Sequence, residues 1–162
     1  MILETLDLNG TVFQVRKAQT ADLNALIELM TNDPVRQAET FAPNASLDAY
    51  EAAFQAIDSD PAQLLVVVTD QDETVVATMQ LTTIPGLARA GATRMQIEAV
   101  RVAQSQRGIG IGSAMIAWAV DHARHQGIDL VQLTSDNQRS DAHRFYERLG
   151  FAASHTGFKL KL

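Results

Sequence analysis

Three glycines alternate through the turn that joins a strand to a long helix: residues 106–112 read Gln-Arg-Gly-Ile-Gly-Ile-Gly. Glycine adopts backbone conformations closed to other residues and lets main-chain N–H groups approach a ligand closely. The following helix is expected over Ile111–His125, closed by Gly127. It points its unpaired amides and the positive end of its dipole into the turn. Strand, turn and helix N-terminus together describe an α/β unit with a cradle for phosphate or diphosphate. A tight turn that merely needs room accounts for the same glycines, so the turn alone leaves both readings open.

Hydrophobic periodicity places the other elements. A first strand is expected over Val12–Lys17, then a helix over Ala21–Met30 capped by Thr20. Residues 31–45, with Pro34 and Pro43, read as a loop or broken helix. Ser46 caps a second helix to about Ile57. Strands over Gln63–Thr69 and Glu73–Thr83 form a hairpin about Asp70-Gln71-Asp72. After the Pro85–Gly91 loop come a strand over Thr93–Val102, the glycine turn and its helix. A strand over Ile128–Thr134, a short helix over Asp141–Leu149 closed by Gly150, and a strand over Phe158–Leu162 complete the order. The expectation is a single α/β domain over residues 1–162, one mixed sheet flanked by helices.

Several chemistries are excluded. The chain has no cysteine, so there is no disulfide framework, thiolate nucleophile or cysteine-ligated metal. The net charge of −6 argues against nucleic acid as partner. The longest apolar run, Leu64–Val68, is far short of a membrane span, and no export signal is visible; the expected location is the cytoplasm. Residues 101–162 nevertheless hold eight of the thirteen basic side chains and five of the nineteen acidic ones.

The nucleotide P-loop needs a lysine, and none lies between Lys17 and Lys159. The dinucleotide fingerprint needs a glycine or alanine where Ser113 stands, and Asp129 comes at the start of the next strand rather than its end. A third pattern fits. Arg107-x-x-Gly110-x-Gly112 resembles the (Q/R)-x-x-G-x-(G/A) element of the GNAT superfamily of acyl-CoA N-acyltransferases. Val100-Arg101-Val102 stands where that family ends a strand, and Ala142–Phe151 (AHRFYERLGF) resembles its later helix, which carries a tyrosine and ends in "LGF". The spacing, the order and the element plan over residues 12–162 are similar to the family's.

The resemblance implies the GNAT fold, acetyl-CoA as cosubstrate, no metal, and a small-molecule or peptide amine as acceptor. It implies a diphosphate cradle from Arg107, Gly108, Ile109, Gly110, Ile111 and Gly112. It also implies a pantetheine path beside Val100, Arg101 and Val102, one amide there meeting the thioester carbonyl. The strand carries its own sign of this. Met95, Ile97 and Ala99 are apolar at odd positions, whereas Val100 and Val102 are apolar at even ones. That flip is what a β-bulge within 93–102 produces; a fully paired strand with two small apolar neighbours also gives it, and the resemblance favours the bulge.

An ammonium acceptor must lose a proton before it attacks. Glu98, the one acid between Glu73 and Asp121, is the expected base, with a salt bridge to Arg94 or Arg101 as its structural alternative. Tyr146 aligns with the family tyrosine and is the expected acid for the leaving thiolate. The family's asparagine, seven residues before the tyrosine, is replaced by Arg139; Asn137 stands close by, and Arg139 or Arg144 is placed to meet a phosphate. His122, His125 and His143 read as structural, and Trp118 as core. Acceptor-site candidates are Glu39, Asp48, Tyr50 and Glu51, with the Pro85–Gly91 loop. A C-terminal edge strand would admit a homodimer.

Overall fold

The computed structural model describes residues 1–32, 46–160 and 162. Six strands form one sheet in chain order: β1 (Ile2–Leu8), β2 (Thr11–Lys17), β3 (Gln63–Thr69), β4 (Val75–Ile84), β5 (Arg94–Val102) and β6 (Leu130–Leu133). The helices are α1 (Leu23–Thr31), α2 (Leu47–Ser59), α3 (Ile111–His125) and α4 (Ser140–Arg148). Neighbouring strands are antiparallel except β5 and β6, which run parallel. A parallel pair needs a crossover, and α3 supplies it. The mixed sheet flanked by helices agrees with the expected architecture.

Register explains the layers. Leu64, Leu81, Ile97 and Leu133 stand side by side across β3 to β6. They meet Met115, Ile116 and Ala119 of α3 in the main core. Met79, Ile97, Met115 and Ile116 are almost wholly buried, each contributing about 2 kcal/mol by leaving water. On the other face, α1 and α2 bury Leu65 and Val67 of β3 with Leu23, Leu26 and Phe54. The next row on that face is polar: Gln63, Thr82, Gln96 and Gln132.

Three expectations are corrected. Strand β1 precedes the expected first strand; it pairs only with β2, buries only Leu6, and shifts register between Ile2 and Glu4, so its alternation is blurred. The signal that identifies it is Asn9-Gly10, both at positive φ, the two-residue hairpin turn. Thr20 does not cap α1. It opens a 3-10 turn over Thr20–Asp22, and the Asp22 carboxylate accepts the Gln19 N–H at 2.7 Å. The expected Phe158–Leu162 strand does not appear among the described residues: residues 151–160 form no strand, and Phe158 and Leu160 are 93% and 87% exposed. Alternation alone does not make a strand where no ladder partner is engaged, and the homodimer expected from that strand loses its basis. The expected loop at 31–45, with Glu39, lies outside the described residues apart from Thr31 and Asn32.

Asp22 is also gripped by Arg16 through two hydrogen bonds of 2.7 and 2.8 Å. That guanidinium holds its carboxyl below the ordinary 3.8, against the opposing effect of burial. Asp22→Ala leaves Arg16 without its carboxylate and is expected to cost about 3 kcal/mol in urea unfolding. The sign with pH follows from the lowered value: the stabilisation is complete above pH 3.8 and fades as pH falls through the native-state value. The wild-type advantage over Asp22→Ala should therefore shrink only in strong acid.

Candidate active site

Strand β5 carries one residue too many. Thr78 faces Arg101 and Gln80 faces Glu98, so Met79 stands opposite both Ala99 and Val100. Ala99 takes a left-handed φ of 53°, a conformation costing an L-residue about 1–2 kcal/mol. This is the expected bulge, and it produces the flip of face: Glu98 lies beside Gln80 on one side of the sheet, and Val102 lies opposite Ala77 on the other.

The second consequence concerns the opposite edge. β5 and β6 pair from Arg94↔Leu130 to Ile97↔Leu133 and no further. Beyond Ile97, the edge of β5 away from β4 has no ladder partner among the described residues. Ala103 N–H donates to Val76 O at 2.8 Å. By strand alternation the Val102 amide then faces the open edge. Arg101 Nη1 donates to the Val100 carbonyl at 2.8 Å.

The slot leads into the glycine turn. Gly108 and Gly110 have φ of 84° and 101°, and α3 starts at Ile111. Arg107 N–H is engaged by Gln104 O at 3.3 Å, which removes it from the expected cradle. The amides of Gly108 through Gly112, Ile109 and Ile111 included, donate to no described residue. The Arg107 guanidinium donates to Val102 O at 3.3 Å, joining the turn to the strand end. At Gly112 a Cβ would make ordinary contact with the Phe145 ring at 3.6 Å and with Val102 at 3.8 Å, so both lie close to the first turn of α3. At Gly110 a Cβ would find only Leu8, at 4.0 Å, so the backbone alone demands glycine.

Helix α4 brings Tyr146 to this place. Its ring packs edge-on against Phe145 at 5.1 Å and Phe151 at 5.9 Å. Burial pushes the phenol's pKa up, opposed by the nearby charges of Arg101 and Arg139. The group is therefore neutral at physiological pH and keeps a proton to donate. Arg101, Arg139 and Tyr146 thus share one electrostatic neighbourhood at the end of β5.

Glu98 is exposed on the α1/α2 face and forms no salt bridge with Arg94 or Arg101. It and Tyr146 approach the slot from opposite faces of the sheet. Exposed Asn137 sits in a turn closed by Arg139 N–H on Asp136 O at 3.0 Å, and the His143 ring holds the same carbonyl at 2.8 Å. Arg144 is paired with Asp141. His122 stacks on Trp118 at 5.1 Å, and His125 meets Asp121 O at 2.8 Å. No group of three or more metal-ligating side chains occurs among the described residues. Asp48 and Glu51 are exposed on α2, whereas Tyr50 packs against the second core. Two concavities lie away from the slot. One, of about 350 Å³, is lined by Lys17, Phe54 and Asp58; the other, of about 210 Å³, by Leu64, Met95 and His122. The slot itself is a splayed edge rather than an enclosed hollow.

This geometry coincides with a family match. The model of the "Acetyltransferase (GNAT) family" matches residues 24–151, and the chain belongs to that family. It is 30% identical over 143 residues to streptothricin acetyltransferase of Streptomyces lavendulae, covering 88% of this chain and 69% of that protein. It is 43% identical over 63 residues to aminoalkylphosphonate N-acetyltransferase of Salmonella typhimurium, covering 39% of this chain and 41% of that protein. The latter match therefore spans less than half of the relative. A solved structure from Bacillus halodurans, described as a transcriptional regulator, superposes with a TM-score of 0.84 at 38% identity, over 93% of this chain and 99% of that one.

The left-handed residue gives a direct test of the bulge. Ala99→Gly should hold or raise the melting temperature by relieving the conformational penalty. Ala99→Val should cost about 1–2 kcal/mol, because a β-branched side chain suits that φ least. Thermal denaturation of the pair reads the difference.

Proposed function

We propose that residues 1–162 act as one domain that transfers the acetyl group of acetyl-CoA to an amine by direct attack. The observation that carries this is the coincidence of two features: β5 loses its β6 partner after Ile97, and the open edge runs toward unengaged amides at 108–112. Those amides and the α3 dipole suit a diphosphate, to which Arg139, whose charge acts on Tyr146, would add its own. The β5 edge suits the peptide-like pantetheine arm, which Asn137 would meet. The Val102 amide, or that of Val100, would donate to the thioester carbonyl and stabilise the oxyanion.

In the reaction the amine nitrogen bonds to the thioester carbon and the C–S bond breaks. Glu98 takes the acceptor's proton, directly or through water, and Tyr146 gives one to the departing thiolate. Its raised pKa keeps that proton available. No covalent enzyme intermediate is needed, which suits a chain without cysteine. The relatives named for streptothricin and aminoalkylphosphonate favour a small-molecule acceptor. No helix among the described residues is long and apolar enough to cross a membrane, and the cytoplasm is where acetyl-CoA would be met.

A second reading is an acyl-CoA sensor without turnover, favoured by the relative described as a transcriptional regulator. The two part on thiol release. Tyr146→Phe should lower kcat about a hundredfold and leave the calorimetric Kd for acetyl-CoA unchanged. Wild-type protein that binds acetyl-CoA yet releases no thiol with any amine would establish the sensor instead. Gly110→Val should weaken acetyl-CoA binding by distorting the cradle; unchanged affinity would place the diphosphate elsewhere.

A further inference from the structure

The two faces of β3 to β6 differ more than covering helices explain. The row Leu64, Leu81, Ile97, Leu133 is wholly apolar, and the neighbouring row on the opposite face, Gln63, Thr82, Gln96, Gln132, is wholly polar. Helices α1 and α2 draw Leu65 and Val67 of β3 into the second core on that face, but no residue of β5 or β6. Glutamine is not favoured in strands, yet Gln80, Gln96 and Gln132 are half-buried.

Their hydrogen bonds are incomplete. Gln80 Nε2 and Thr82 Oγ1 both donate to Gln63 Oε1, at 3.0 and 2.7 Å. Gln132 Nε2 donates to Gln96 Oε1 at 2.8 Å. The other ends of Gln80 and Gln132, their carbonyl oxygens, meet no donor among the described residues. Gln96 is engaged at both ends, its Nε2 donating to Ile97 O at 3.3 Å, whereas Gln80 and Gln132 are fixed at one end and open at the other. Glu98 pairs in register with Gln80 and lies two residues beyond Gln96 on β5, a step of about 7 Å along a strand. The surface therefore begins one small-molecule length from the carboxylate that receives the acceptor's proton.

We propose that Gln80 and Gln132, the latter held in place by Gln96, bind the body of the acceptor and select amines whose skeleton carries neutral hydroxyl or amide groups. The inference rests on the acetyl-transfer reading and names the acceptor class it requires. A hydroxyl or amide completes the open glutamine ends, whereas a hydrocarbon of the same shape strips their water and returns nothing. Sites of this kind reject the analogue that lacks the polar group far more than they reject an altered hydrocarbon.

The test compares isosteric amines: glycinamide against isobutylamine, and serinol against its hydrocarbon isostere. Wild-type protein should show at least about tenfold higher kcat/KM for the polar member of each pair, the loss expected for stranding one buried polar group. Gln96→Leu/Gln132→Leu should erase that preference through KM while the calorimetric Kd for acetyl-CoA stays unchanged. If the double variant does not fold, Gln132→Met alone, on the edge strand, carries the same comparison. Equal use of both members by wild-type protein, or a preference that survives the substitutions, overturns the assignment. Binding of acetyl-CoA without transfer to any amine overturns the catalytic reading itself, and the acceptor surface falls with it.

Discussion

A single surplus residue in β5 governs the arrangement of the site. A sheet can keep both edges of a strand paired only while each residue meets one partner on either side. With Ala99 and Val100 both opposite Met79, the ladder to β4 survives only if the backbone turns locally, and Ala99 does so at positive φ. β6 follows the strand as far as Leu133 and then parts from it. The strain at Ala99 is small beside the burial of Ile97 and Met79, so the core holds the distortion in place.

Packing then ties the separate pieces of the slot together. The Phe145 ring and Val102 both lie close to Gly112 in the first turn of α3, and Phe145 in turn abuts Tyr146. The Arg107 side chain reaches Val102 O. Cradle, strand end and phenol are therefore held by direct contacts over a short distance. A shift of α4 would be felt at the glycine turn, which is what a site working by positioning requires.

Much of this could be read in the residues, and the exceptions have physical causes. The strand Gln63–Thr69 and the helix Ile111–His125 appear with their expected bounds, because both are strongly periodic and end in clear breakers. The bulge was legible as a parity flip between Ala99 and Val100, since the alternation of a half-buried strand records any insertion. β1 was obscured because an edge strand buries little, although Asn9-Gly10 marked its turn. Phe158–Leu162 alternates like a strand and is not one, because pairing depends on a partner that local pattern does not encode. Arg107 kept its side chain at the site but lost its amide to Gln104, a hydrogen bond set by a 3-10 turn with no strong sequence signature. The polar row has no local sequence signature because Gln63, Thr82, Gln96 and Gln132 come from four strands and meet only through register.

The sheet also solves a difficulty inherent in the proposed chemistry. A base and an acid placed side by side would hydrogen-bond to each other, and each would lose the protonation state its task needs. Here a carboxylate on the α1/α2 face and a phenol packed on the α3 side are separated by the strand itself. The carboxylate remains in contact with water, where an ion is well solvated. The phenol lies among Phe145 and Phe151, where burial favours its neutral form. In the proposed reaction a thioester lying along the open edge beyond Ile97 would have to be reached by both. In that reading the splay of β5 from β6 both frees a backbone amide for the thioester carbonyl and keeps acid and base on separate faces of the strand.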